Sequence, residues 1–324
     1  MIDKRRNRTP QGALSKKIED GKAVPLISSG VDHDLILWGH KELVKYYAKQ
    51  TEYPLASTHD LSHIAQVYSV THSTDSYVMR QDYLDIVKDR LREIAEADGV
   101  PQEIQTDAKA GSARLGFTEM AKVLGYPSFD NDLPNSLLLL ARLNLPLYLT
   151  TSYHTFLEAA LVYAGKKPRT EFCRWNQRLE PSSRECVSDY QPSSEEPLVY
   201  HLFGLDTQPE SLVLTEDDYL DFLVNLTLDM SQKTDRIPRC IRRALADSSL
   251  ILLGYDLRSW EFRTLFWGLI RNRPLSKQEN VSVQVAPDDP EKCYLDKYLS
   301  EASFRVVWGE VHQYIQELCQ SMGT

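Results

Sequence analysis

Apolar positions along this 324-residue chain follow two alternating rhythms. Short unbroken apolar runs, Leu147-Tyr148-Leu149, Leu198-Val199-Tyr200 and Leu250-Ile251-Leu252-Leu253, predict strands buried on both faces. Between them the apolar positions recur at helical spacing. Tyr83, Ile86, Val87, Leu91, Ile94 and Ala95 form one stripe, with Gly99 as its stop. "LGFTEMAKVLGYPSF" predicts a shorter amphipathic helix, so residues 51–129 form a helical insertion between strands. A helix over 135–143 then leads into a strand over 145–150. Further strands are expected around Thr170–Trp175, over 198–202 and over 211–214. Thr215 caps the next helix, with Asp218 three residues on as its capping-box partner. The strand Leu250–Leu253 stops at Gly254, "VSVQVAPDD" and "FRVVWGE" predict two more, and a helix ends the chain. This alternation predicts an α/β fold built on a doubly wound, mostly parallel sheet.

Composition narrows the class. An apolar fraction of 42% and a charged fraction of 26% are ordinary for a soluble globular protein. No apolar stretch approaches the ~18 residues of a membrane span. The start, "MIDKRRNRTPQGALSKKIEDGKA", lacks the apolar segment of a secretory signal, so a cytoplasmic protein is expected. Residues 1–22, with Lys4, Arg5, Arg6, Arg8, Lys16, Lys17 and Lys22, predict a disordered basic tail ahead of one domain over 23–324. The net charge of −9 argues against a broad nucleic-acid face. Cys173, Cys186, Cys240, Cys293 and Cys319 include no C-x-x-C pair, which predicts reduced thiols and no metal.

Four strand ends carry polar or glycine-containing turns: Ser28–Asp32, Thr150–His154, His201–Gly204 and Gly254–Asp256. In an open parallel sheet such ends share one crevice. The first of them, a strand followed by Ser28-Ser29-Gly30 and a helix, is the half-unit that binds phosphate at a helix start.

The chain resembles the sirtuin-like family, in its bacterial branch of NAD-consuming proteins associated with defence against phage. The resemblance rests on "PLISSGV" followed by "WGHKEL", "YLTTSYHTFLEAAL", "YHLFG" followed by "SLVLTEDDYLDFL", and "LLGYDLRSWEFRTLF", and spans about residues 23–318. It implies a Rossmann-like domain that binds NAD, as substrate or ligand and without a metal, and hydrolyses its nicotinamide–ribose bond in antiphage defence. Ser28, Ser29, Gly30, Thr151, Ser152, Tyr153, Gly204, Gly254 and Tyr255 fall at its cofactor-binding positions. Ser152, His201 and His154 are the candidate catalytic residues. The cysteine-bound zinc ribbon of the lysine deacylases has no counterpart, which argues against deacylation.

Three positions depart from the family pattern. Ser28-Ser29-Gly30 stands where Gly-Ala-Gly is common, and serine still offers a phosphate donor. Thr150-Thr151-Ser152-Tyr153-His154 stands where Thr-Thr-Asn-Tyr-Asp is usual, so the residue that positions ribose and water is a shorter serine. Phe203 stands where many members carry the general-base histidine, leaving His201 two residues earlier on the same strand face. Plainer readings stand beside these: Ser152 as a helix N-cap, His154 as a first-turn histidine and His201 as a core histidine held by a carbonyl. Asp217 and Asp218 suit a helix N-terminus, and Trp38, Trp260, Phe262 and Phe266 suit core and pocket wall. The alternative function is a catalytically silent domain that binds NAD, ADP-ribose or only a protein partner, with a homo-oligomer or defence complex expected in either case.

Overall fold

The computed structural model describes residues 11–31, 39–55, 60–72, 74–129, 135–179, 190–232, 236–271, 280–284 and 289–323. Expectations for residues 1–10, Asp32, Trp38 and Cys186 fall outside the described residues. Seven strands form one sheet: β1 (Ala23–Ile27), β2 (Leu147–Thr150), β3 (Arg169–Phe172), β4 (Leu198–His201), β5 (Ser249–Leu253), β6 (Asn280–Gln284) and β7 (Phe304–Trp308). Their order is β3-β4-β2-β1-β5-β6-β7, and every neighbouring pair is parallel. The doubly wound, Rossmann-like architecture is therefore as expected from the strand–helix alternation.

Strand side chains divide by parity, as a sheet buried on both faces requires. Ala23, Ile27, Tyr148, Val199, Ile251, Leu253, Val281 and Val283 enter one core. That core also takes Leu14 and Ile18 of α1 (Gln11–Glu19), Leu43 of α2 (His40–Gln50) and Ile64 of α3 (Leu61–Thr71). Tyr83 of α4 (Ser76–Ala97), Ala108 of α5 (Gln102–Gly111), Phe117 of α6 (Phe117–Val123), Leu137 of α7 (Ser136–Arg142) and Phe156 of α8 (Phe156–Tyr163) join it. Val24, Leu26, Leu147, Leu149, Leu198, Tyr200, Leu250 and Leu252 enter the opposite core. There they meet Phe222 of α9 (Glu216–Gln232), Ile241 of α10 (Arg239–Asp247), Phe262 of α11 (Trp260–Leu265) and Leu299 of α12 (Asp289–Glu301). The closing helix α13 (Val311–Met322) returns to the first core through Tyr314 and Ile315.

Two expectations are corrected. The basic tail is not disordered throughout: residues 11–19 form α1, because Leu14 and Ile18, one helical turn apart, both find buried places. Residues 211–214 form no strand. Pro209–Ser211 is a 3₁₀ turn, and Leu214 donates its N–H to Asp218 instead of to a neighbouring strand.

The helix starts follow their local chemistry. Asn135 accepts from the Leu137 and Leu138 N–H groups at the start of α7, and Asp60 accepts from the Ser62 N–H at the start of α3. Thr215 and Asp218 close a reciprocal box at α9: the Asp218 N–H donates to Thr215 Oγ1 at 3.1 Å, and the Thr215 N–H donates to Asp218 Oδ2 at 3.0 Å. Thr215→Ala is expected to lower stability by about 1 kcal/mol. The check is a lower urea midpoint with an unchanged slope.

Candidate functional site at the sheet switch point

The chain enters the sheet at central β1, builds β2, β4 and β3 on one side, and crosses back to place β5 on the other. At such a reversal the strand ends leave a crevice. A pocket opens there, lined by Ser29 after β1, Thr151 and Tyr153 after β2, Phe203 after β4, and Ser259, Trp260 and Glu261 at the start of α11. Asp60, Leu61 and Ser62 at the start of α3 close it, together with Tyr83, Tyr219 and the 212–214 segment.

Several of these segments are helix starts, whose unpaired N–H groups and dipoles favour an anionic guest. The first is tight. Ser29, Gly30 and Val31 turn helical directly after Ile27 and Ser28. The Ser29 N–H donates to Thr151 Oγ1 at 3.0 Å, and the Gly30 N–H donates to Ser28 Oγ at 3.1 Å. Both hydroxyls pass their own protons to one carboxylate. Ser28 Oγ donates to Glu261 at 3.1 and 3.2 Å to its two oxygens, and Thr151 Oγ1 donates to Glu261 Oε1. Two backbone donors of a phosphate-type loop are thus relayed through two hydroxyls onto Glu261. Burial pushes the Glu261 carboxyl up from its ordinary range, against the downward pull of the Thr151 and Ser28 hydroxyls.

The rest of the pocket is aromatic above and acidic at the rim. Phe203 meets Tyr219 edge-on at 5.2 Å, and Tyr83 meets Tyr153 edge-on at 5.8 Å. Burial raises all three tyrosine phenols, so they stay protonated at neutral pH. At the rim Glu216 accepts from Trp260 Nε1 at 3.3 Å and lies 3.1 Å from His63 Nδ1. Behind the 212–214 segment, Arg80 donates to Asp218 Oδ1 at 2.5 Å and to the Leu212 carbonyl at 2.8 Å. Asp218 thereby serves structure: it caps α9 and anchors the insertion helix α4 to the pocket wall.

The sequence-derived candidates separate. Ser29, Thr151 and Tyr153 line the pocket, and Ser28 and Gly30 support it from behind. Ser152, between two lining residues, is buried and is not part of the lining, and its carbonyl lies 2.6 Å from His201 Nδ1. It is also not the cap of α8, which starts at Phe156 with Thr155 before it. His154 is buried in an aromatic cluster, stacked on Phe156 at 3.9 Å and beside Phe117. His201 is fully buried: Nδ1 lies 2.6 Å from the Ser152 carbonyl and Nε2 lies 2.8 Å from Glu158. It does not share the pocket face with Phe203, because β4 ends at His201 and the chain turns. Tyr255 packs against Phe262 in the core. Gly254 has φ +78°, and a Cβ there would lie 2.4 Å from Val31 Cγ2, so the Val31 side chain fills the space beside this turn. Gly204 is pressed against the Ser211 backbone.

Glu261, Asp60, Ser259 and Tyr219 were not singled out from the sequence. The available signal was the order Ser259-Trp260-Glu261 opening a helix one turn beyond the Gly254 turn, and Asp60 opening another. Ser259 caps α11 by accepting from the Phe262 N–H at 3.1 Å, which fixes the first turn and aims Glu261 at the β1 loop.

A family model described as the SIR2-like domain matches residues 146–307, from the residue before β2 to the fourth residue of β7. No curated protein matches the chain. Among the described residues no helix is long and apolar enough to cross a membrane.

Proposed function

The chain belongs to the SIR2-like domain family, and from that premise we propose that it binds NAD in the switch-point pocket and hydrolyses the nicotinamide–ribose bond. The observation that carries this reading is the junction of the β1 and β2 turns, where Ser29 and Thr151 line the pocket and the Ser29 and Gly30 N–H groups and the Ser28 and Thr151 hydroxyls converge on and behind its floor. Those four groups are suited to a pyrophosphate. Tyr153, Phe203, Tyr219 and Trp260 supply walls that exclude bulk water from the nicotinamide end. In the reaction the bond between ribose C1′ and the nicotinamide nitrogen breaks, its electron pair leaving with nicotinamide. Water then adds at C1′ and releases a proton, giving ADP-ribose. The biological setting of this reading is bacterial antiphage defence, in which the activity depletes cellular NAD.

The test uses the purified protein with NAD. At a hundredfold excess over Kd, NAD or ADP-ribose is expected to stabilise the fold by about 2.7 kcal/mol, seen as a raised melting temperature. Nicotinamide release is followed by chromatography in the same samples. Stabilisation without release assigns the chain to silent binding, and neither effect overturns the NAD reading.

A further inference from the structure

Residues expected to position ribose and water, Ser152, His201 and His154, are all absent from the pocket lining. Among the described residues two carboxylates are present in it, Asp60 and Glu261. Asp60 Oδ1 already accepts both the N–H and the hydroxyl of Ser62 at the start of α3. Glu261 differs. It stands at the reversal of the sheet, and beside the Ser29 backbone N–H it holds side-chain hydroxyls from two other segments, Ser28 and Thr151.

We infer that Glu261 is the catalytic carboxylate of this site: it accepts the nicotinamide-ribose hydroxyls in place of Ser28 and Thr151, and its charge stabilises the ribosyl cation as the glycosidic bond breaks. The inference rests on the NAD-cleaving reading above and names the group that performs it. A carboxylate that accepts two converging O–H donors is suited to a vicinal diol, which offers the same two donors. The exchange has a second consequence. Ser28 and Thr151, released from Glu261, turn their hydroxyls to the pyrophosphate, and the Ser29 and Gly30 N–H groups are freed with them. Seating the ribose and opening the phosphate loop become one event. Glycosyl transfer passes through an oxocarbenium-like state, for which a fixed carboxylate in a water-poor pocket is an effective partner. The step balances: nicotinamide leaves with the electron pair of the C1′–N bond, water forms the new C1′–O bond, and the displaced proton passes to solvent.

The experiment compares wild type with Glu261→Gln and Glu261→Asp, reading nicotinamide release and ADP-ribose-induced thermal stabilisation side by side. Glu261→Gln keeps the size and one acceptor and removes the charge. It is expected to lose about a hundredfold or more in kcat while ADP-ribose still stabilises it. Glu261→Asp, which retains the charge on a shorter arm, is expected to recover part of that loss. Wild-type release with Glu261→Gln equally active overturns the inference and leaves NAD hydrolysis standing. A wild type that releases no nicotinamide overturns both. If Glu261→Gln is inactive and ADP-ribose no longer stabilises it, Glu261→Asp decides: full activity there supports the carboxylate, and absence of activity in a folded, ligand-stabilised Glu261→Asp overturns it.

Discussion

Gly204→Ala is expected to abolish stable folding or to lower stability by about 3–5 kcal/mol. The position sits at φ +92°, in the region side chains rarely adopt, and a Cβ there would lie 2.3 Å from the Ser211 carbonyl oxygen and 2.4 Å from its carbon. Neither neighbour can give way. Ser211 is fully buried, and its carbonyl accepts from Trp175 Nε1 at 2.8 Å. Its hydroxyl accepts from the Leu205 N–H at 2.9 Å and donates to the Gln208 carbonyl at 2.6 Å. The Val213 N–H is held by the Phe203 carbonyl at 3.1 Å, so the loop after β4 and the segment before α9 are laced together across this glycine. Pushing them apart would displace Phe203 and Leu212–Leu214, which form one wall of the pocket. Thermal unfolding read by circular dichroism checks the loss. A Gly204→Ala protein with wild-type stability would show that the loop relaxes freely, contrary to this packing.

That loop also shows what the sequence could and could not convey. A glycine ending a strand was legible as a place of close backbone approach, but not the identity of the approaching backbone. Strands and helices were legible because their signals are local: unbroken apolar runs such as Leu250–Leu253, helical spacing in α4, a capping box at Thr215. The helix α1 was hidden by its lysines, since among its described side chains Leu14 and Ile18 carry its apolar face. Site residues were legible by position along the chain and not by facing. Thr151, Ser152 and Tyr153 are consecutive, yet the first and third line the pocket and the middle one does not. Likewise His201 and Phe203 share a face only if the strand continues through both, and it stops at the first. Glu261 escaped because its role depends on tertiary geometry. Nothing local distinguishes an acid in a first helical turn that serves the dipole from one that reaches across to the turns of two other strands.

Removing either partner of the His201–Glu158 pair is expected to cost about 3–5 kcal/mol, because each leaves the other buried without its counter-charge. His201 has an acceptor on both ring nitrogens, the Ser152 carbonyl at 2.6 Å and Glu158 Oε1 at 2.8 Å. Glu158 also accepts from Thr170 Oγ1 at 2.8 Å, so this cluster ties together the β2 turn, α8, β3 and β4. With acceptors facing both ring nitrogens the surroundings favour the doubly protonated ring. Burial by itself would lower the His201 pKa. The charge and hydrogen bond of Glu158, with the Ser152 carbonyl, outweigh it and leave the value raised. A raised folded-state value sets the sign of the pH dependence. The stabilisation is complete below the unfolded histidine value of about 6.5 and is lost as pH rises through the higher folded value. Urea unfolding of wild type, His201→Ala and Glu158→Ala across that range checks both statements. Wild type is expected to lose stability on the alkaline side, and the single variants are expected to be weak throughout and to lose that pH dependence. The double variant is expected to recover part of the loss, since it leaves no unpaired charge. Single variants of wild-type stability would instead describe a histidine that the fold does not need, and would return His201 to consideration as a base.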